Sequence, residues 1–122
     1  MSFQYRCYRE QDLINITPKL YAKDQSKLFY PTQENTIVVL ENNHIVAFMD
    51  FSHFEDEDIY CIDLFEVFNP RKGIGTRIIK EIQGFEEITC LEVNPYSQQS
   101  VKFWDKLGFE FINHETMQWK KG

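Results

Sequence analysis

Residues 59–84 read IYCIDLFEVFNPRKGIGTRIIKEIQG: an apolar strand pattern, a turn with two glycines, and an amphipathic helix pattern. A glycine-rich turn that opens a helix is suited to binding anions. The first N–H groups of a helix have no intrahelical partner, and the aligned peptide dipoles leave partial positive charge there. Glycine at positions 73 and 75 removes Cβ atoms that would keep a phosphate from the backbone. This stretch therefore predicts a site for a phosphorylated ligand.

The charge around this turn differs from that of the rest of the chain. The whole sequence has a net charge of −6, but residues 69–80 contain no acidic residue and four cations, Arg71, Lys72, Arg77 and Lys80. The overall acidity argues against nucleic acid as the main partner, because duplex binding needs a basic face. A Gly-x-Gly turn alone is also typical of a tight strand–helix connection without a ligand. A second segment is needed to choose between the two interpretations.

The second segment is Phe103–Phe109, which reads FWDKLGF. Together with Arg71-Lys72-Gly73-Ile74-Gly75 it resembles the GNAT superfamily of N-acetyltransferases. In that family a strand is followed by an R/Q-x-x-G-x-G/A pyrophosphate loop and later by a helix ending in an F-Y-x-K-x-G-F-like run. The resemblance is specific from about Leu64 to Phe109. It implies acetyl-CoA as cosubstrate, no metal, and direct transfer of an acetyl group to a primary amine.

The length of 122 residues and the hydrophobic content of 43% predict one N-acetyltransferase-like domain over residues 1–122. Strand–helix–strand from Ile59 to Val93 predicts a right-handed crossover between parallel neighbours, whereas the earlier strands are linked by hairpins. We therefore expect an α/β fold: a mixed, mostly antiparallel sheet with a central parallel strand pair and helices on both faces. This is the GNAT-like acyl-CoA N-acyltransferase fold. Strand patterns occur at Phe3–Tyr8, Thr36–Glu41, Ile45–Phe54, Ile59–Phe68, Ile88–Val93 and Phe109–Trp119, and helical patterns at Glu10–Lys23 (restarting at Thr17-Pro18), Ile74–Gly84 and Ser97–Leu107.

The strand Ile59–Phe68 is apolar on both faces, as in a sheet covered by helices on both sides. Regular alternation predicts two sets of side chains, Tyr60, Ile62, Leu64 and Phe68 on one face and Cys61, Phe65 and Val67 on the other. The same alternation places Asp63 on the face opposite to Glu66, so the two carboxylates could cooperate only if a bulge intervened.

The resemblance implies that the coenzyme lies between the two parallel strands. Its pyrophosphate would contact the amides of Arg71, Lys72, Gly73, Ile74, Gly75 and Thr76, with the Arg71 and Lys72 side chains screening its charge, and its pantetheine arm would pair with the backbone near Val67. Ser97 stands where the family often has a coenzyme-binding Asn, although a serine there is also typical of a helix N-cap. Pro70 replaces the usual Arg or Gln, which predicts a loop shortened by a residue or two.

For the base that deprotonates the amine, Glu66 is the first candidate because it is the ionisable residue on an apolar strand face just before the loop. Some GNAT enzymes have a glutamate base on this strand. A structural carboxylate is the alternative interpretation, and Asp50 on the adjacent strand is a weaker candidate base. A backbone N–H around Val67 would stabilise the oxyanion.

One departure from the family bears on catalysis. The usual proton donor to the thiolate is the Tyr of F-Y, and Trp104 occupies this position. An indole N–H donates a hydrogen bond but does not transfer a proton at neutral pH. Either another group serves, or the thiolate leaves unassisted, or the chain is a non-catalytic GNAT-like acyl-CoA-binding or protein-interaction domain. A phosphate-binding module unrelated to acetyl transfer is a further alternative.

The remaining expectations concern partners, location and cysteines. The acceptor is a small-molecule or peptide amine that no motif identifies, and a homodimer is left open. No apolar run has the length of a membrane span and the start lacks a signal-peptide pattern, so we expect a cytoplasmic protein without a membrane partner. The acidic tip Glu55–Asp58 is either a solvated hairpin loop or an attractant for a cationic amine. Cys7, Cys61 and Cys90 are expected to be buried free thiols without a metal.

Overall fold

The computed structural model describes residues 3–20, 31–69 and 73–122. Seven strands are present in this part of the chain: β1 (Gln4–Cys7), β2 (Thr36–Glu41), β3 (His44–Phe54), β4 (Ile59–Val67), β5 (Cys90–Val93), β6 (Glu110–Phe111) and β7 (Met117–Lys120). The helices are α1 (Leu13–Leu20), preceded by a 3₁₀ turn at Glu10–Asp12, α2 (Ile74–Gln83) and α3 (Gln98–Lys106). Pro70, Arg71 and Lys72 lie outside the described residues, as do residues 21–30, which precede β2.

The strands form one sheet in the order β1-β2-β3-β4-β5-β7-β6. Every neighbouring pair is antiparallel except β4 and β5, which are parallel and are connected through α2. The tight β2–β3 connection places Asn42 and Asn43 at φ values of 53° and 67°, a conformation that asparagine tolerates. The predicted mixed, mostly antiparallel sheet with a central parallel pair is confirmed.

Helices cover both faces of the sheet, as predicted. On one face α2 and α3 pack over Ala47 and Met49 of β3, and the buried side of α2 consists of the four isoleucines that recur at helical spacing, Ile74, Ile78, Ile79 and Ile82. On the other face α1 contributes Ile16 to a core with Val38 and Phe48. We call these the α2 face and the α1 face.

A β-bulge in β4 reverses the alternation of its side chains. Asp50 of β3 pairs with Leu64 and Phe51 pairs with Ile62, so Asp63 is an extra residue on β4. Ile62 consequently packs on the α2 face and Leu64 on the α1 face. The predicted placement of both on one face was wrong, because a bulge adds one residue to a pattern of period two.

The bulge also corrects the predicted position of Asp63. The Ser52 hydroxyl donates a hydrogen bond to the Asp63 carboxylate at 2.5 Å, and Ser52 lies on the same face of β3 as Asp50. Glu66 pairs with Phe48, which is part of the α1-face core. Asp63 and Glu66 therefore share the α1 face instead of lying on opposite faces.

The amino-terminal part of the chain differs from the prediction at one point. The helix α1 continues through Thr17 and Pro18 without the predicted restart. It is anchored at its start by Asp12, which accepts hydrogen bonds from both terminal nitrogens of Arg6 at 2.8 Å and from the backbone N–H of Arg9 at 2.8 Å. The hydrogen bonds from Arg6 lower the pKa of the buried Asp12 carboxyl.

The position of α2 is fixed by contacts with β1 and β2. Glu81 accepts hydrogen bonds from the backbone N–H of Phe3 at 3.3 Å and from the Tyr5 hydroxyl at 3.1 Å. One turn earlier, the Arg77 guanidinium lies 4.7 Å from the centre of the Phe3 ring and 3.1 Å from Glu41. These contacts tie the helix to the amino-terminal edge of the sheet.

All three cysteines lie in strands, but their exposure differs. Cys7 is exposed, Cys61 is partly buried and Cys90 is buried. The prediction of a buried thiol was wrong for Cys7, because it lies at the end of the edge strand β1. Within the described residues, no group of three or more His, Cys, Asp or Glu side chains is placed to hold a metal, and no helix has the length and apolarity to cross a bilayer.

Candidate functional site

The parallel strands β4 and β5 diverge. They pair only from Tyr60 opposite Leu91 to Ile62 opposite Val93, where β5 ends, whereas β4 continues to Val67. The backbone N–H of Phe68 donates to the Val46 carbonyl of β3 at 2.9 Å. By the alternation of an antiparallel ladder, the backbone groups of Phe65 and Val67 then point away from β3, toward the side that β5 has left. The end of β4 thus offers an edge to an extended ligand.

The amino terminus of α2 lies next to this edge. Gly73 adopts a φ of 69°, and its carbonyl accepts the first helical hydrogen bond, from the N–H of Arg77 at 3.2 Å. Within the described ranges, the preceding amides, those of Ile74, Gly75 and Thr76, make no hydrogen bond with any residue, and no side chain caps the helix. Three N–H donors at the positive end of the helix dipole can therefore bind an anion.

The two positions of the turn that carry glycine require it for different structural reasons. A Cβ added to Gly73 would meet nothing within 4 Å, so this position is determined by its positive φ. A Cβ added to Gly75 would lie 3.4 Å from ring carbons of Phe103 and 3.4 Å from Cγ2 of Val67. Gly75 is therefore the point at which α2, β4 and α3 meet.

The predicted base, Glu66, lies on the α1 face. Its side chain is 6% exposed, and it pairs across the strands with the fully buried Phe48. The neighbouring carboxyl of Asp50 accepts a hydrogen bond from the Thr36 hydroxyl at 2.9 Å. Burial raises the pKa of Asp50, and the charge of Asp63 raises it further, against the effect of the Thr36 hydrogen bond. The α1 face therefore carries three carboxyl groups, that of Asp50 on β3 and those of Asp63 and Glu66 on β4.

Trp104 is part of the aromatic core beside the diverging strands. It is 6% exposed, and its ring centre lies 4.8 Å from that of Phe103, 5.0 Å from that of Phe109 and 6.2 Å from that of Phe65. A large ring suits this position, because the indole fills the space between α3 and β4. It does not give the chain a proton donor.

Ser97 is the N-cap of α3. Its hydroxyl oxygen accepts a hydrogen bond from the backbone N–H of Ser100 at 3.1 Å, and its backbone is extended. The capping role is thus observed, and a contact of Ser97 with the coenzyme stays a prediction. The same holds for the roles predicted for Arg71 and Lys72, which lie outside the described residues.

The structure brings Val67, Gly75 and the amides of Ile74 and Thr76 together on one side of β4, and it places Glu66 on the other. The sequence interpretation missed Phe103 as the residue that closes the junction over Gly75. The signal was present in the sequence, since Phe103 is the first residue of the second motif, but a role was considered only for its neighbour Trp104.

No protein-family model and no curated protein matches this chain. Solved structures do match it over nearly its whole length. An acetyltransferase from Thermus thermophilus superposes with a TM-score of 0.72 at 10% identity, covering 99% of this chain and 98% of the other. Ard1 from Thermoplasma volcanium gives 0.70 at 14% identity, with 98% of both chains covered.

A third similar structure contains the coenzyme. The N-acetyltransferase YlbP from Bacillus subtilis, in complex with coenzyme A, superposes with a TM-score of 0.65 at 12% identity, covering 98% of this chain and 97% of the other. Together with the strand order, the parallel pair and the helices on both faces, these similarities identify the architecture. The chain has the acyl-CoA N-acyltransferase fold of the GNAT superfamily.

Proposed function

We propose that this protein is an acetyl-CoA-dependent N-acetyltransferase that transfers the acetyl group directly to a primary amine. The observation that carries the proposal is the divergence of β4 and β5 next to three backbone amides at the start of α2. An unpaired strand edge and a helix amino terminus in this arrangement suit the two ends of coenzyme A, an amide-containing arm and a diphosphate.

In this proposal the pyrophosphate binds to the backbone from Arg71 to Thr76, with Gly73, Ile74 and Gly75 between them, and the Arg71 and Lys72 side chains screen its charge. The pantetheine amides pair with the backbone at Phe65 and Val67. No metal is needed, because the helix terminus and the cations supply the positive charge.

The transfer forms a bond between the amine nitrogen and the acetyl carbon and breaks the bond between that carbon and sulfur. Glu66 accepts the proton of the amine, directly or through water, since only the neutral amine attacks. The N–H of Val67, which points away from β3, donates to the developing oxyanion. A thiol with an ordinary pKa of about 8.5 leaves well, so Trp104 in place of tyrosine is compatible with turnover.

The carboxyl groups on the α1 face favour a cationic acceptor. Asp50, Asp63 and Glu66 lie on the face of β3 and β4 from which the amine would approach the thioester. Negative charge there raises the local concentration of an ammonium substrate. The proposed acceptor is therefore a small-molecule or peptide amine that is positively charged before it is deprotonated.

A second candidate function is a non-catalytic acyl-CoA-binding or interaction domain. Trp104 favours it, because the buried indole fills the position of the family's proton donor without being able to supply a proton. The two candidates share the coenzyme site and differ only in turnover.

Two measurements test the proposal. Acetyl-CoA at a hundredfold excess over its Kd should stabilise the fold by about 2.7 kcal/mol, which corresponds to a rise in Tm of about 10 °C for a domain of this size, whereas adenosine should give little. Release of free coenzyme A thiol with a panel of amines then separates enzyme from binder. The absence of a Tm shift at saturating acetyl-CoA would refute both candidates, and binding without thiol release from any amine would favour the second.

A further inference from the structure

A cavity lies on the α2 face, at the end of α2 that is far from Gly73. It has a volume of about 350 Å³ and is lined by residues of β1, β3, β4 and the carboxyl end of α2, among them Tyr5, Phe51, Tyr60 and Phe85. Tyr60 is the second residue of β4, and Val67 is its last. Seven residues of strand span about 23 Å, so the part of the cavity at Tyr60 is far from Val67 and the amides of α2, whereas Met49, which also lines the cavity, pairs with Phe65 of β4.

Aromatic rings form much of the cavity wall. Tyr5 and Phe85 meet edge to face with ring centres 5.3 Å apart, and His53 and Tyr60 stack with ring centres 3.9 Å apart. The Tyr5 ring is held in place because its hydroxyl donates to Glu81 at 3.1 Å. Phe51 of β3 adds a further ring. The electron-rich faces of such rings attract cations as well as apolar groups.

The described residues that line the cavity include two acidic ones, Glu34 and Glu87. Glu34 and Glu87 line it and are exposed, which keeps their carboxylates in contact with solvent at its mouth. His53 Nε2 lies 3.3 Å from the Asp58 carboxylate of the acidic hairpin tip. Among the described residues that line the cavity there is no Lys and no Arg. An apolar aromatic interior with carboxylates at the mouth is complementary to a molecule with an apolar body and a positively charged end.

We propose that this cavity is a binding site for a small organic ammonium ion, with its apolar body between the rings and its charge toward Glu34 and Glu87. The volume is at the lower end of the range for small-molecule pockets, which suits one ring or a short alkyl chain. The proposal goes beyond the acetyltransferase function, because the site lacks the diverging strands and the helix terminus that acyl transfer needs.

The probe for the test is 2-phenylethylammonium, with 2-phenylethanol as its neutral counterpart of the same size and phenylacetate as the anion. Binding to the full chain is measured by titration in amide-resolved NMR, without any coenzyme. The ammonium ion should perturb the amides of Phe51, Tyr60 and Phe85, and it should bind about 2- to 5-fold more tightly than the alcohol, as expected of an exposed ion pair. Phenylacetate should bind more weakly than both.

Two variants locate the charge. Glu87→Gln should weaken binding of the ammonium ion about 2- to 5-fold, whereas Glu86→Gln, a neighbouring carboxylate that does not line the cavity, should leave it unchanged. Ile37→Trp, which fills the cavity, should abolish binding of all three probes in a folded protein. Equal affinity for ammonium and alcohol, equal effects of the two glutamate variants, or perturbations confined to residues 65–76 would each overturn the proposal. None of these measurements uses acetyl-CoA, so their outcome does not decide whether the protein is an acetyltransferase.

Discussion

Glu66 and Val67 are adjacent in β4 but project to opposite faces of the sheet. Glu66 pairs with Phe48 in the α1-face core, and Cγ2 of Val67 lies 3.4 Å from the position of a Cβ on Gly75, on the α2 face. At the end of β4, the proposed base therefore lies on the α1 face and the amides of α2 lie on the α2 face. In the proposed function, coenzyme and acceptor would approach from different faces and would not compete for space.

Glu66→Gln should lower the rate of amine-dependent thiol release at least about 100-fold, because the amide cannot accept the proton of the amine. Its affinity for acetyl-CoA should stay within about twofold, since the side chain lies on the other face from the α2 amides. Stopped-flow thiol detection and calorimetric titration measure the two quantities. Asp63→Asn is the matched control, an exposed carboxyl of the same strand, and should change the rate far less. An unchanged rate in Glu66→Gln would remove the base role.

Thr76→Glu should weaken acetyl-CoA binding by about tenfold or more, whereas Thr76→Gln should weaken it little. The third amide of α2 belongs to this residue, and two negative charges about 4–5 Å apart near a protein surface repel by a few kcal/mol. An acidic residue in the first turn of a helix favours the fold, so the loss is not one of stability. Equal Kd values for the two variants, measured by titration calorimetry, would contradict a diphosphate site at this terminus.

Asp12→Asn should destabilise the fold by about 1.5–3 kcal/mol at pH 7, because Asp12 accepts charge-assisted hydrogen bonds from Arg6 and a further one from Arg9. The native pKa of Asp12 is below its ordinary value of 3.8, so its contribution is complete above that value and is lost as the pH falls through the native pKa. Urea denaturation at several pH values should show wild type and variant converging below about pH 4. Glu10→Gln, at an exposed site in the same 3₁₀ turn, should change the free energy of unfolding at pH 7 far less.

A thiol reagent at pH 8 should modify one cysteine rapidly in the folded protein and all three in denaturant. Cys7 is exposed. Burial, followed by the charges of Glu92 and Asp63, raises the pKa of Cys61 to about 11, which leaves about one thiolate in a thousand at pH 8. Burial likewise raises the pKa of Cys90. Cys7→Ser should remove the fast phase, and a fast phase that persists in this variant would contradict the assignment.

Much of the fold could be predicted because local patterns and global topology agree. The four isoleucines of α2, the asparagine pair of the β2–β3 turn and the strand–helix–strand order each indicate the element that the structure contains. The bulge at Asp63 could not be predicted, because β4 is apolar on both faces and a shift of one residue leaves its pattern unchanged. The continuity of α1 through Pro18 was likewise hidden, since proline is also typical of a helix start.

The functional sites, like the fold, could be predicted from the sequence only in part. The helix-terminal amides could be predicted because they depend on residues adjacent in sequence, Gly73 to Thr76. The aromatic cavity could not, because Tyr5, Phe51, Tyr60 and Phe85 belong to four separate segments that only the sheet order brings together. Phe103 could be predicted in part: its motif was visible in the sequence, but its contact with Gly75 depends on how α3 packs.

The hydrogen bonds from Phe3 and Tyr5 to Glu81 have a practical consequence for work on this protein. They attach the helix that presents the proposed diphosphate-binding amides to the amino-terminal segment, so a fusion partner joined directly before Phe3 should displace that helix and alter affinity for acetyl-CoA. Joined after Gly122, beyond the last strand, the same partner would leave this attachment intact, and affinity measurements are best made on protein purified through that end.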